Sequence, residues 1–437
     1  MRYPNYLKRT LLSAIDELAD TPSLYACNPG RDFTRNRKLN FKQFLILLLS
    51  MEGDCIKEEL YRFFGRSTAA PSKAAFYKQR QKLQKDALRN LLFTFNSKLK
   101  RKLFKDKYQL IACDGSALDI YRNPDDPDTF FGPSGKSSRG FNQIHVNAFF
   151  SILDSRFTDL VIQPGRKRNE YSSFCQMVDA ADQNAPKSIY ICDMGYASYN
   201  SFAHVIENDQ YFLIRCNDVR TESILGHSLD GAKELDAHVN RILSRSQSKK
   251  NRSRPDCADQ YRFVCKSVDM DYLSDTKPEY ELSLRIVRIE LSNGCFENLI
   301  TNLPDLEFDI ESFKALYHLR WTEENAFRDM KYPLCLKAFH SKKYDYIVQE
   351  VWARAILYNF CADIANHVTI PKRSRKHVYK ANFSHAAKTC REFLRIRDGS
   401  SIDVEALIVS NIEPIRDGRI YRRQHRFKLP ISFCYRY

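Results

Sequence analysis

Three carboxylates and a short run of cations and one aromatic are the residues of this chain whose types and spacing could do chemistry. Asp114 follows the apolar run Tyr108-Gln109-Leu110-Ile111-Ala112-Cys113 and precedes Gly115. Asp193 follows Ser188-Ile189-Tyr190-Ile191-Cys192 and precedes Met194-Gly195-Tyr196. Both read as buried strands running into glycine-containing turns, where α/β folds place sites. An Asp in that position also serves as an ordinary turn or cap residue. The third carboxylate is Glu324. Tyr317, Arg320, Glu324 and Lys331 stand at relative positions 0, 3, 7 and 14. At ~100° per residue they fall at roughly 0°, −60°, −20° and −40°, one narrow helical stripe. Such a stripe could carry carboxylate chemistry or be a solvent-facing row of helical ion pairs.

The elements that must position these residues follow from periodicity. Residues 1–104 read as a helical, basic region with breaks at Pro29-Gly30, Gly65 and Pro71, including a predicted helix over Lys73–Phe95. Phe76, Leu83, Ala87 and Leu91 form its apolar stripe, and Lys78, Lys82, Lys85 and Arg89 its basic side. A helix-turn-helix-like reader would fit such a bundle. From 105 to 215 strands and helices alternate, with further strands at Gln143–Phe150, Leu160–Ile162 and Tyr211–Arg215 and a helix at Ser198–Glu207. That alternation indicates an α/β core. Residues 216–300 read as a β-rich insertion, with a basic loop at Ser244–Asp256 carrying Arg245, Lys249, Lys250, Arg252 and Arg254. One long helix is predicted over Ile310–Lys331 and a strongly apolar one over Val348–His367 within 301–370. The remainder, 371–437, is basic and includes Arg422-Arg423-Gln424-His425-Arg426.

Charge narrows the class of partner. The 437 residues carry a formal net charge of +16. Residues 1–104 hold 21 Lys/Arg against 9 Asp/Glu, and 371–437 hold 16 against 6, whereas 105–370 hold 32 against 38. Two basic ends flank an acidic centre, which fits DNA contact at the ends and carboxylate chemistry between them. The 13 cysteines show no CxxC pair or zinc spacing and read as buried free thiols in a reducing cytoplasm. The longest apolar stretch, Phe44–Leu49, is far short of the ~20 residues that span a bilayer.

The spacing Tyr317-x2-Arg320-x3-Glu324-x6-Lys331 resembles the Y-R-E-K signature of bacterial insertion-sequence DDE transposases, the group often called IS-four. The surrounding Asn298-Leu299-Ile300-Thr301-Asn302-Leu303-Pro304 and Tyr317-His318-Leu319-Arg320-Trp321 are similar as well. Asp114-Gly115-Ser116 and Asp193-Met194-Gly195-Tyr196 look like that family's two catalytic aspartates, and the resemblance covers about 105–365.

It implies a ribonuclease-H-like core interrupted by a β-rich insertion, with Asp114, Asp193 and Glu324 holding two Mg²⁺ ions and Mn²⁺ able to substitute. Mg²⁺ prefers oxygen ligands and binds through few carboxylates plus substrate phosphate. Two ions ~3.5–4 Å apart stabilise both oxygens of an in-line displacement. The implied reaction cuts phosphodiesters at the terminal inverted repeats, then joins the freed 3′-hydroxyls to target DNA. Tyr317, Arg320 and Lys331 would contact phosphates and terminal nucleotides, and Trp321 lies beside them. In cut-and-paste relatives a Trp of the insertion stacks on a flipped base. Here neither Trp lies in 216–300, and Phe296, 21 residues before Tyr317, occupies the comparable place. Phe296 could stack on a base or be a core residue of a strand. The expected assembly is a homodimer on paired DNA ends in the cytoplasm at the nucleoid, with no membrane. The rival readings are a repressor derived from a transposase and a two-metal nuclease that cuts without joining.

Overall fold

The computed structural model describes residues 2–35, 37–134, 137–230, 234–247, 260–292, 294–371, 377–396 and 402–415. The basic positions Lys249, Lys250, Arg252 and Arg254 and the run Arg422–Arg426 lie outside the described residues.

The N-terminal region is helical: α1 Tyr3–Asp20, α2 Phe41–Ser50, α3 Ile56–Phe63, α4 Lys73–Arg80 and α5 Ala87–Ser97. Side-chain caps start two of them. Asn40 accepts from the Gln43 N–H and Ser72 from the Ala75 N–H. The single helix predicted over Lys73–Phe95 is therefore two. The chain between them leaves the helix to pair with residues 25–27. The Cys27 N–H donates to the Lys82 carbonyl at 2.8 Å and the Gln84 N–H to the Tyr25 carbonyl at 2.9 Å. The apolar positions Phe76, Leu83, Ala87 and Leu91 are all buried nonetheless.

The core sheet is built from β1 Gln109–Ile120, β2 Phe130–Phe131, β3 Phe141–Ser151, β4 Arg156–Pro164, β5 Ser188–Cys192 and β6 Tyr211–Cys216. Strands β3 and β1 pair antiparallel, as do β3 and β4, while β5 and β6 run parallel to β1. The order β4-β3-β1-β5-β6 is the ribonuclease-H-like arrangement. Helices α6 Glu170–Asp179 and α7 Tyr199–Glu207 supply the crossovers to β5 and β6.

After α8 Asp218–Leu225 come β7 Leu235–Ser244, β8 Tyr261–Phe263, β9 Glu279–Ser292 and β10 Cys295–Thr301. These strands do not form a sheet of their own. Strand β10 pairs antiparallel with β6, at Ile300↔Ile214, and the order β6-β10-β9-β7-β8 extends the core sheet.

The helices α9 Ile310–His318, α10 Trp321–Lys331, α11 Tyr344–His367, α12 Phe383–Arg395 and α13 Val404–Val409 follow, with a small hairpin of β11 Tyr379–Ala381 and β12 Ile412–Pro414. The one helix predicted over Ile310–Lys331 is thus α9 and α10. At their junction the Leu319 and Arg320 N–H groups donate three residues back, to Leu316 and Tyr317, a tightened turn that re-aims the chain.

Alternation along β1 divides the core. Leu110, Ala112 and Leu118 pack in one layer with α1, α2, α5, α10 and α11; Ile111 and Cys113 pack in the other with α6 and α7. No described helix is long and apolar enough to cross a membrane. Six of the described cysteines are buried, but Cys27, Cys265 and Cys295 are exposed.

Candidate active site

Asp114 does not sit at a strand end. Strand β1 continues six residues past it, paired with β3 at Asp114↔Ala148 and on to Ile120↔Asn142. What ends at Cys113↔Cys192 is the ladder between β1 and β5. Past that point β5 gives way to the Asp193 turn, so one edge of β1 opens beside Asp114. The two carboxylates stand at the carboxyl end of β5, the place where open α/β sheets bind ligands. Asp114 Oδ1 accepts from the Gly115 N–H at 2.7 Å, and Asp193 Oδ1 from the Met194 N–H at 2.8 Å.

Gly115 is required where it stands. A Cβ there would lie 2.6 Å from His145 Nε2 and 3.1 Å from Asn147 Oδ1. His145 is buried on β3 with its Nε2 3.0 Å from Glu170 Oε1, and Asn147 Oδ1 accepts from the Tyr196 hydroxyl at 3.1 Å. A polar cluster thus underlies both aspartate segments.

Helix α10 brings the third carboxylate. Arg320 stands at its N-terminus, 3% exposed, with Nη2 3.1 Å from Glu324 Oε1. Burial alone would lower the guanidinium pKa, but Tyr317, Asp193, Asp114 and Glu324 outweigh it and raise it. Burial pushes the Asp114 carboxyl up; the Gly115 N–H and Arg320 pull it down, while Glu324 and Asp193 push it further up. The three carboxylates and Arg320 therefore share one electrostatic neighbourhood. Lys331, one helical stripe along, donates from Nζ to Ser116 Oγ on β1, and burial lowers its pKa. Tyr317 is buried under the cluster, its hydroxyl without a partner among the described residues and its pKa raised by burial. The Arg320 guanidinium lies 5.7 Å from the Tyr317 ring and 5.3 Å from the Trp321 ring. Trp321 is 47% exposed.

Asp114, Asp193, Tyr317, Arg320, Glu324, Lys331 and Trp321 are thus brought together, although 217 positions separate the first from the last. Phe296 is not. It alternates with Glu297 along β10, and Glu297 is the one that faces Arg215. The Phe296 ring lies 4.6 Å under the Arg288 guanidinium on the other face.

Three site residues escaped the sequence reading. Arg215 on β6 stands with Nε 3.7 Å from Asp193 Oδ1 and Nη1 3.7 Å from Glu297 Oε1. Burial raises the Glu297 pKa, against the pull of Arg215 and Arg320. Glu323, beside Glu324, is fully buried with neither carboxyl oxygen partnered among the described residues, and burial raises its pKa well above the ordinary carboxylate range. A charged residue inside a β-strand, as in Tyr211–Cys216 and Cys295–Thr301, is the available signal for the first two.

The donor set fits a divalent cation of the Mg²⁺ type. It is all carboxylate oxygen, and Glu324 and Asp193 both add to the rise of Asp114 that burial begins. Among the described residues no trio of His, Cys, Asp or Glu closes on one point as a fully protein-liganded ion requires. Mg²⁺ does not require that, since it keeps waters and completes its shell with phosphate oxygens.

Residues 105–360 match the transposase DDE domain family. That is more than half of the chain, and the chain belongs to this family. Its members are DNA phosphoryl-transfer enzymes, and the family generally works with divalent metal ions. No curated protein matches the sequence. Seven solved chains match in structure; one is a piggyBac transposase in a synaptic complex with hairpin DNA, at 10% identity and a TM-score of 0.45, over 96% of this chain and 87% of that one.

Proposed function

We propose that this protein is an insertion-sequence transposase of the Y-R-E-K type, cutting phosphodiesters at the ends of its element and joining the 3′-hydroxyls to target DNA. The observation that carries this reading is the convergence of Asp114, Asp193 and Glu324 with Arg320, beside the point where the β1–β5 ladder ends. Two Mg²⁺ ions held by the three carboxylates would polarise the scissile phosphate and stabilise the attacking and leaving oxygens.

The chain's own residues bind and orient. Arg320, already buried and aimed at Glu324, holds a phosphate oxygen by paired N–H donors. Lys331, tethered to Ser116, adds a point charge one helical stripe away. The exposed face of Trp321 offers a surface for a terminal base. The helical N-terminal region, with its excess of Lys and Arg, contacts the terminal inverted repeats, and two copies act on paired ends in the bacterial cytoplasm. Asp114, Asp193 and Glu324 argue against a repressor, which has no use for three carboxylates beside DNA phosphates.

The reading is checked with purified protein, Mg²⁺ and duplexes ending in the inverted repeats that flank the gene. Wild type should nick and join these ends, and Glu324→Gln should lose both by at least ~10³-fold while still binding DNA. Binding without cleavage by wild type would favour the repressor. Cutting without joining would favour the nuclease.

A further inference from the structure

Arg215 and Glu297 are charged residues from two neighbouring strands, and the chemistry above has not used them. On the paired strands Arg215 faces Leu299, which puts Glu297 two positions along β10 on the same face. The Arg215 guanidinium stands 3.7 Å from a carboxylate on each side, Asp193 and Glu297. Both separations exceed hydrogen-bond range, so the cation is shared and locked to neither. The two carboxylates differ in surroundings. The Asp193 side chain is 39% exposed, whereas that of Glu297 is 11% exposed.

From this arrangement, and resting on the metal-dependent reading above, we infer that Glu297 is a positioning residue for Arg215. It holds the guanidinium at the rim of Asp193, leaving the Asp193 carboxylate available to a divalent cation and the guanidinium facing a DNA phosphate. Glu297, 11% exposed, acts through the arginine and needs no contact with the reacting atoms itself. Without it Asp193 is the only carboxylate paired with Arg215 among the described residues, so the arginine would close onto Asp193 and compete with the metal. A cation shared between two anions also carries less free charge toward DNA than one paired with a single carboxylate.

Five proteins test this: wild type, Glu297→Gln, Glu297→Asp, Arg215→Gln and the double variant of Glu297→Gln with Arg215→Gln. Two readouts are needed. The first is affinity for a fluorescent duplex end in EDTA, by anisotropy. The second is the Mn²⁺ concentration giving half-maximal nicking of that end. Glu297→Gln should tighten metal-free DNA binding roughly three- to tenfold and raise the half-maximal Mn²⁺ concentration by a similar factor, the range expected for one close charge pair. Both effects should vanish when Glu297→Gln is made in the Arg215→Gln background. Glu297→Asp, which keeps the charge, should return both readouts toward wild type. A merely structural glutamate would weaken binding equally in either arginine background, and that result overturns the inference. So does a Glu297→Gln protein with unchanged metal dependence. If wild type cuts no DNA at any Mn²⁺ concentration, the cleavage reading fails, and the metal-free binding of the five proteins still decides the role of Glu297.

Discussion

Two regions of the molecule bury charge, and they handle it in opposite ways. Where α3, α4 and the loop before α11 meet α11, every buried carboxylate has cations to spare. Arg80, fully buried, stands 2.8 Å from Glu350, and His340 Nδ1 stands 3.0 Å from the same carboxylate. Arg395 and Arg391 reach Glu52, and Arg354 donates to the carbonyls of Leu48 and Glu52. Burial would raise the Glu350 pKa, but Arg80 and His340 outweigh it and bring the carboxyl down to about 2. At Asp114 the balance is reversed. Burial raises Asp114, and the Gly115 N–H and Arg320 only partly offset it, with Glu324 and Asp193 adding to the rise. The first arrangement is a closed account of charge that ties the helical region to the core. The second leaves Asp114 without an ion pair among the described residues, an arrangement suited to binding a cation.

This contrast can be broken or sharpened by substitution. The largest effect belongs to the closed network. Glu350→Gln leaves Arg80 buried without its counter-ion and should cost about 3–5 kcal/mol in chemical denaturation. The wild-type contribution has a defined pH window. A carboxyl depressed to about 2 stabilises above its ordinary pKa and loses that contribution as pH falls toward 2. The Glu350→Gln deficit should therefore shrink in acid; a deficit independent of pH would show that packing, not charge, is lost.

Glu323→Gln should act in the other direction. A buried carboxyl with a raised pKa is stable when protonated and loses stability as pH rises. The amide is neutral throughout, so the variant should melt higher than wild type at pH 8, by an amount equivalent to about 1–2 kcal/mol, and match it near pH 4. An unfolding midpoint lowered at pH 8 would mean that Glu323 has a charged role in the site.

The smallest change in stability is expected from Asp114→Asn. It removes charge from a crowded anionic cluster without leaving a cation uncompensated, so the melting temperature should stay within ~0.5 kcal/mol of wild type or rise, even as catalysis is lost. A loss comparable to that of Glu350→Gln would erase the distinction between the two regions.

The strand-helix alternation and the buried runs at Ser188–Cys192 and Tyr211–Cys216 were legible because local hydrophobicity and period record burial directly. Breaks within apparently continuous helices were not. The segments at 81–86 and 319–320 keep helical phase in their apolar residues, and only contact with residues 25–27, or a three-residue turn, interrupts them.

For the candidate site, the sequence by itself determined the inventory: three carboxylates, the Tyr317–Lys331 spacing and an acidic centre between basic ends. Spacing along one element is a local property, and the helix and strand periods translate it into faces. Tertiary structure alone decided the rest. It ran β1 past Asp114 because β3 is longer than β5. It turned Phe296 away and Glu297 inward, and it set Arg215 between Asp193 and Glu297, 82 residues apart in the chain from its second partner. Which strands become neighbours depends on packing between distant segments, and no local pattern records it.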